Sequence, residues 1–315
     1  MRVTFLGTSA GVPTRERNVA GVALQLPQRG EWWLFDCGEG TQLQILRSGL
    51  SLGQLTRVFI THMHGDHLFG LPGLLATGRL AGNARRADVY GPPGLADYLR
   101  ACWQSTEAGT TLPVEVHTLA PGEIYRDDEF AVSCLPVKHR VPAFGFRVTE
   151  LERPGRFRAE EAAALGVPFG PLFGRLKRGE TITLDDGRRV DGAALCDPPE
   201  QGRSIVYSGD TVFCEEMVRL AHDADVLIHE STFVGADEEL ARRSRHSTAA
   251  MAAQVAAQAG AWMLVLTHIS PRYAPGKASA PTDLLDEARA IFPRTELAHD
   301  FLSFEVARRV NPKHR

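Results

Sequence analysis

The chain has 315 residues, 43% of them hydrophobic and 23% charged, with a formal net charge of -3. That composition supports a sizeable core in a soluble protein and sets aside a chain that is basic overall, so any nucleic-acid contact must rest on a local concentration of basic residues. Five scattered cysteines, Cys37, Cys102, Cys134, Cys196 and Cys214, contain no CxxC pair. This argues against a disulfide framework and a thiolate zinc knuckle, and leaves any metal to His and carboxylate ligands. No apolar run is long enough to span a bilayer. Met1 to Ser9 reads as a strand and turn, not as a signal peptide, so a cytoplasmic protein with no membrane partner is expected.

In chain order, Val3 to Gly7, Val19 to Leu26 and Trp32 to Phe35 have the short apolar or period-two patterns of strands. Asp36-Cys37-Gly38-Glu39-Gly40-Thr41 opens a helix over Thr41 to Ser48. Arg57 to Thr61 reads as a buried strand delivering the chain to His62. Leu71 to Leu80 and Leu95 to Cys102 read as helices on either side of a short strand at Asp88 to Tyr90. Further strands are expected at Phe130 to Val137, Phe144 to Val148, Ser204 to Ser208, Asp225 to His229 and Met263 to Thr267, with an alanine-rich helix over Met251 to Gln258. Four of these strands finish at a potential ligand: His62, His139, Asp210 and His268. Strand ends on a sheet hold ligands more rigidly than loops do.

The cluster His62-Met63-His64-Gly65-Asp66-His67 places three histidines and a carboxylate in six residues behind a buried strand. Nitrogen and oxygen donors of this kind suit zinc, although such sites accept other divalent metals. His62 and His64 point the same way on an extended segment, and Gly65 lets the backbone turn before Asp66 and His67, so one segment can feed two adjacent metals. A second metal calls for a bridging carboxylate. Asp210, in Ser208-Gly209-Asp210-Thr211, is placed for that bridge; its alternative role is a helix N-cap. His139 and His268 are isolated histidines that gain weight from their strand ends.

These blocks together resemble the metallo-β-lactamase superfamily, and specifically its short-form ribonuclease Z family, the tRNA 3′-processing endonucleases. HxHxDH alone marks the superfamily. The narrower resemblance rests on Phe5 to Ser9, Pro13 through Asn18, Phe35 to Gln42, Ser208 to Thr211, His229 to Thr232, His246 to Thr248 and Thr267 to Tyr273. It covers nearly the whole chain. The family often has serines after Asn18, where this chain has Val19-Ala20-Gly21; the departure leaves the ligands untouched.

The resemblance implies one α/β domain over residues 1–315, an αββα four-layer sandwich with the metals at one edge of two facing sheets. It implies two zinc ions, one on His62, His64 and His139, the other on Asp66, His67 and His268, with Asp210 bridging. Asp66 is implied as proton acceptor for a metal-activated water. The implied products are a tRNA with a 3′-hydroxyl and a trailer with a 5′-phosphate. His246, beside an Arg-Arg-Ser-Arg run and not needed as a ligand, is the expected general acid, oriented by Glu230. The competing reading of His246 is a surface histidine. His229 is expected to face away from the site, and His117, His222, His299 and His314 have no supporting context.

A stretch near 151–190 differs from the rest: glycine, proline and phenylalanine alternate with basic residues, and it is expected to form a protruding arm without a core of its own. Between Leu151 and Glu180 it holds Arg153, Arg156, Arg158, Arg175, Lys177 and Arg178 against four acidic residues, a local net of +2. Such residues give phosphate contacts that carry no sequence information. By resemblance the arm is an exosite gripping precursor tRNA, and the protein works as a homodimer in which one subunit's arm presents tRNA to the other's site. Two rivals remain: a hydrolase of small phosphodiesters or other esters, which needs no arm, and a non-catalytic RNA-binding protein, which would lack ligands.

Overall fold

The computed structural model describes residues 1–80, 87–106, 114–153, 155–274, 276–277 and 280–309; Pro154 and His314 lie outside them. The chain divides into two compact units, one made of Met1–Thr149 with Arg203–Ala307, the other of Glu150–Gly202 with the chain end from Arg308.

In the larger unit one sheet holds β1 (Arg2–Gly7), β2 (Gly21–Leu26), β3 (Glu31–Phe35), β4 (Leu55–Phe59), β5 (Ala87–Gly91) and β6 (Val114–Thr118) in that spatial order, with the late strand β16 (Ser303–Glu305) beside β1. The other sheet runs β15 (Thr295–Leu297), β14 (Met263–Thr267), β13 (Val226–Glu230), β12 (Ser204–Tyr207), β9 (Ala143–Glu150), β8 (Phe130–Val137), β7 (Gly122–Arg126). Both sheets are mixed. β3 to β6 pair in parallel, as do β12 to β15, while the remaining recorded pairings are antiparallel.

The helices of this unit are α1 (Thr41–Ser48), α2 (Gly65–Leu68), α3 (Leu71–Leu80), α4 (Leu95–Ser105), α7 (Glu215–Leu220), α8 (Glu238–Ser244), α9 (Ala249–Ala259) and α10 (Pro281–Ile291); α5 and α6 belong to the smaller unit. Alternation along the strands sorts the core into layers. Phe5, Trp33, Phe35 and Phe59 of one sheet cluster with Phe130, Phe146, Ile205, Tyr207 and Ile228 of the other. On the outer face of the first sheet, Leu34, Val58 and Val89 pack with Ile45, Leu71, Leu74 and Leu99 of the helices. On the outer face of the second, Val206, Leu227 and Leu264 pack with Met217, Ala252, Val255 and Leu284. These layers are the expected αββα order.

The expected strands and helices are present, four of them with the expected bounds and the rest with ends moved by at most three residues. Four strands of this unit are not among those expected, β6, β7, β15 and β16, and they are the outer strands of the two sheets. Runs of three to five residues are too short for a period-two pattern to stand out.

The smaller unit corrects the expectation of a coreless arm ending near 190. It contains α5 (Ala159–Ala164), α6 (Pro171–Lys177) and a hairpin of β10 (Thr181–Thr183) with β11 (Arg189–Asp191). Ala162, Val167, Leu176, Ile182, Val190 and Leu195 form its own buried cluster. Bridges Arg153 to Glu200 and Phe157 to Cys196 tie its two ends together, so the unit extends to Gly202. Its charge is also corrected: Glu150–Gly202 contains eight basic and ten acidic side chains, because Asp185, Asp186, Asp191, Asp197 and Glu200 lie beyond the window that reads as basic.

Candidate metal centre

β12, β13 and β14 are parallel neighbours, so their carboxyl ends share one edge. Ligand sites in α/β sheets form at such edges. This edge carries Asp210 after β12, Glu230 at the end of β13 and His268 after β14. From the first sheet β4 leads to His62, and the short helix α2 carries Asp66 and His67. His139 follows β8. Backbone strain gathers here: Asp36, Arg245 and His268 have φ of 56°, 58° and 58°, a region that non-glycine residues seldom occupy. Gly38 lets two loops meet, since a Cβ there would lie 2.2 Å from the Asp66 carbonyl oxygen. Gly209 has φ +58°, and its Cβ would lie 2.8 Å from Cβ of Thr61.

The structure brings all seven expected ligands together in two groups that share Asp210. His62, His64, His139 and Asp210 form one, and Asp66, His67, His268 and Asp210 the other, with the ligand atoms of each within 4.8 Å of one another. Asp210 Oδ2 faces the first group, 3.6 Å from His62 Nε2 and 3.9 Å from His139 Nε2. Its Oδ1 faces the second, 3.3 Å from His67 Nε2 and 3.4 Å from His268 Nε2. The helix N-cap reading of Asp210 does not hold: the next helix starts at Glu215 with Cys214 at its N-cap.

Hydrogen bonds fix which ring nitrogens hold lone pairs. His139 Nδ1 donates to the Arg245 carbonyl at 2.9 Å. His67 Nδ1 donates to Asp36 Oδ2 at 2.7 Å. The Thr61 hydroxyl donates to Asp36, which leaves its oxygen to accept from His62 Nδ1 at 2.9 Å. In the same way the Thr232 hydroxyl donates to Glu230 and accepts from His268 Nδ1 at 3.0 Å. Four Nε2 lone pairs are thereby aimed inward.

Nitrogens that face each other with lone pairs repel unless a cation lies between them. Separations of 3.0 Å between His62 Nε2 and His64 Nδ1, 3.1 Å between His139 Nε2 and His64 Nδ1, and 3.2 Å between His67 and His268 Nε2 are close to the edge of about 3.3 Å that tetrahedral zinc gives its donors. Asp210 Oδ1 is a buried acceptor that meets no well-aimed donor among the described residues. Burial opposes a charge on His67, yet Asp210, Asp36 and Asp66 outweigh it and hold its pKa well above the usual imidazole value. The donor set, its spacing and its negative potential fit two divalent cations.

Beside this centre, His246 Nδ1 is 2.8 Å from Glu230 Oε1, and its ring is partly exposed. Glu230 is buried and accepts from five donors: the amides of Thr211, Thr232 and Ser247, the Thr232 hydroxyl and His246. Burial lowers the His246 pKa, but the Glu230 charge and hydrogen bond push it up to about 9. His229 turns away, with Nδ1 donating to the Glu230 carbonyl at 2.7 Å.

Sequence reasoning missed the residues that hold the ligands. Asp36 accepts from the Thr61 amide and hydroxyl, His67 and the Tyr207 hydroxyl, the last at 2.9 Å. Its segment reads only as a helix opening and as one of the blocks that carry the resemblance, with no role for Asp36 itself. Nothing in the sequence signals Tyr207, 171 positions away, or the carbonyl of Arg245.

The Beta-lactamase superfamily domain model matches residues 31–161 and 187–269. Ribonuclease Z of Acaryochloris marina is 60% identical over 309 residues, 98% of each chain. Ribonuclease Z of a Cyanothece strain is 59% identical over 315 residues, covering 100% of this chain and 98% of the relative. The crystal structure of human tRNase Z, short form, superposes with a TM-score of 0.70 at 32% identity, over 98% of this chain and all of the other. With the fold, the two ligand groups and relatives matched from end to end, the chain belongs to the ribonuclease Z family of tRNA 3′-processing endonucleases.

Proposed function

We propose that the larger unit holds two zinc ions, one on His62, His64 and His139 and one on Asp66, His67 and His268, with Asp210 bridging, and that it cuts precursor tRNA after the discriminator base. The single observation that carries this reading is the pair of Asp210 oxygens, each facing its own group of histidines. Two such ions, when bound, lower the pKa of a water and neutralise phosphate charge. The protein's own groups then govern the protons. Asp66, its Oδ2 fixed by the Gly11 amide at 2.9 Å and near His268 at 3.3 Å, accepts the proton of the attacking water. The water oxygen bonds to phosphorus as the bond to the tRNA O3′ breaks. His246, protonated at neutral pH and held through Nδ1 by Glu230, donates from Nε2 to that O3′. The phosphate stays on the trailer.

The smaller unit binds the RNA body, and the basic side chains Arg153, Arg156, Arg158, Arg175, Lys177 and Arg178 are its phosphate-facing set. Four of them are already paired inside the unit: Arg153 with Glu150, Arg158 with Glu161 and Asp197, and Arg175 and Arg178 with Glu180. Electrostatic attraction is therefore modest, and shape has to contribute. A homodimer is supported by α1, where Leu43 and Leu46 lie one turn apart and are 59% and 67% exposed, an apolar face of the kind a subunit contact covers. No helix of the described residues is long and apolar enough to cross a membrane.

The test is cleavage of precursor tRNA with both new ends mapped, run beside a small chromogenic phosphodiester. A tRNA 3′-hydroxyl after the discriminator base and a trailer 5′-phosphate are expected. Fast turnover of the small diester with no binding to tRNA would favour the small-ester reading instead.

A further inference from the structure

Phe169 is 92% exposed, more than any other large apolar side chain described. The residues around it are drawn into the core of the smaller unit: Val167 and Leu176 are buried, and Leu172 and Phe173 pack against them. Phe169 is left outside, with Leu165 the only other large apolar side chain of the described unit that is exposed. It is nevertheless held in place. Its ring meets Phe173 edge to face at 5.3 Å and 61°, and Phe173 meets Phe157 at 5.5 Å and 73°. Pro168 and Pro171 on either side restrict the backbone. An exposed aromatic with few rotatable bonds on a braced loop loses little entropy when it is covered.

Its surroundings say what covers it. The segment from Gly170 to Glu180 contains Arg175, Lys177 and Arg178 against one carboxylate, Glu180. A protein partner would need a contiguous apolar patch; among the described residues of this unit the only other exposed large apolar side chain is Leu165. A single flat ring on a segment that also carries cations, two of them shared with Glu180, matches a nucleobase whose face is exposed, with phosphates near it. Aromatic side chains stack on such bases without regard to sequence.

We infer that Phe169 stacks on an exposed base face of the folded RNA, so that the smaller unit reads the substrate's shape through an aromatic contact and not through charge alone. This rests on the reading of that unit as the RNA-binding element.

The experiment compares Phe169→Ala, Phe169→Leu and Phe169→Trp with a triple variant in which Arg175, Lys177 and Arg178 become Ala. Each is assayed on precursor tRNA, with thermal melting to confirm folding and sedimentation to follow subunit assembly. Loss of one stacked base is expected to raise KM on the order of tenfold in both the Ala and the Leu variants, with the loss in KM and not in kcat. The Trp variant is expected to keep a low KM, and its added fluorescence to be quenched by tRNA. A Leu variant with wild-type KM would overturn the inference, since any apolar side chain would then serve. A change in assembly without a change in KM would also overturn it, placing protein on the ring. If the triple variant raises KM and Phe169→Ala does not, RNA binding by the unit stands and stacking is wrong. If neither moves KM, both fall.

Discussion

At the metal centre Glu230 accepts from five donors and Asp36 from four groups, and His62, His67, His139 and His268 each have Nδ1 committed to a named partner. In the smaller unit the charged pairs, such as Arg178 with Glu180 and Arg158 with Asp197, are partly exposed, and the most exposed aromatic, Phe169, is braced by the edge of Phe173 alone among the described rings. Exposed pairs of this kind contribute about 0–1 kcal/mol and are screened by salt. Removing one partner of a buried network costs several-fold more. The candidate metal centre is thus over-determined by a sheet edge, while the smaller unit, on the reading proposed above, would recognise its substrate through a loosely paired surface.

Changes at the centre are where this contrast should be sharpest. Asp210→Ala removes the group both ligand sets share. Losing several kcal/mol of transition-state stabilisation lowers kcat at least about a thousandfold, measured in single-turnover cleavage. His246→Ala removes the proposed general acid and is expected to lower kcat on the order of a hundredfold or more with little change in KM. The pH profile gives the sign. His246 is held protonated above its ordinary range, so activity falls as pH rises through its pKa. Glu230→Gln takes away the anion that keeps the proton there, and the basic limb moves to lower pH. An unmoved limb in that variant would break the assignment.

The smaller unit offers the next effect. Leu176→Ala opens a void in a cluster of six buried residues and costs about 2–5 kcal/mol within that unit. Limited proteolysis is expected to cut within residues 150–202 of this variant while residues 1–149 stay resistant. The smallest effect is expected from Tyr207→Phe, which removes one of the donors to Asp36. Three groups still hold Asp36 and His67, so metal affinity measured against a chelator weakens several-fold, less than the 10–100-fold of a lost direct partner.

The candidate ligands were legible in the sequence because each either lies in the HxHxDH cluster or follows a strand with a clear apolar run, as Asp210 and His268 do. Asp36, Thr61 and Tyr207 were not, since the chain brings them together across 171 positions and none has a composition that marks it. Tertiary contacts of this kind leave no local periodicity. The core of the smaller unit was hidden for a related reason. Its apolar residues, from Ala162 to Leu195, are spread over two short helices and a hairpin, each too brief to display a period. The basic reading of the arm came from a window that stopped before the acidic residues at 185–200.

The most direct test of the shared centre is the number of metal ions bound per chain, measured on the purified wild-type protein and on Asp210→Ala. Two equivalents in the wild type, and a loss of at least one in the variant, are expected from a carboxylate whose two oxygens face two sets of histidines. A single equivalent in the wild type, or two retained without Asp210, would contradict the bridge.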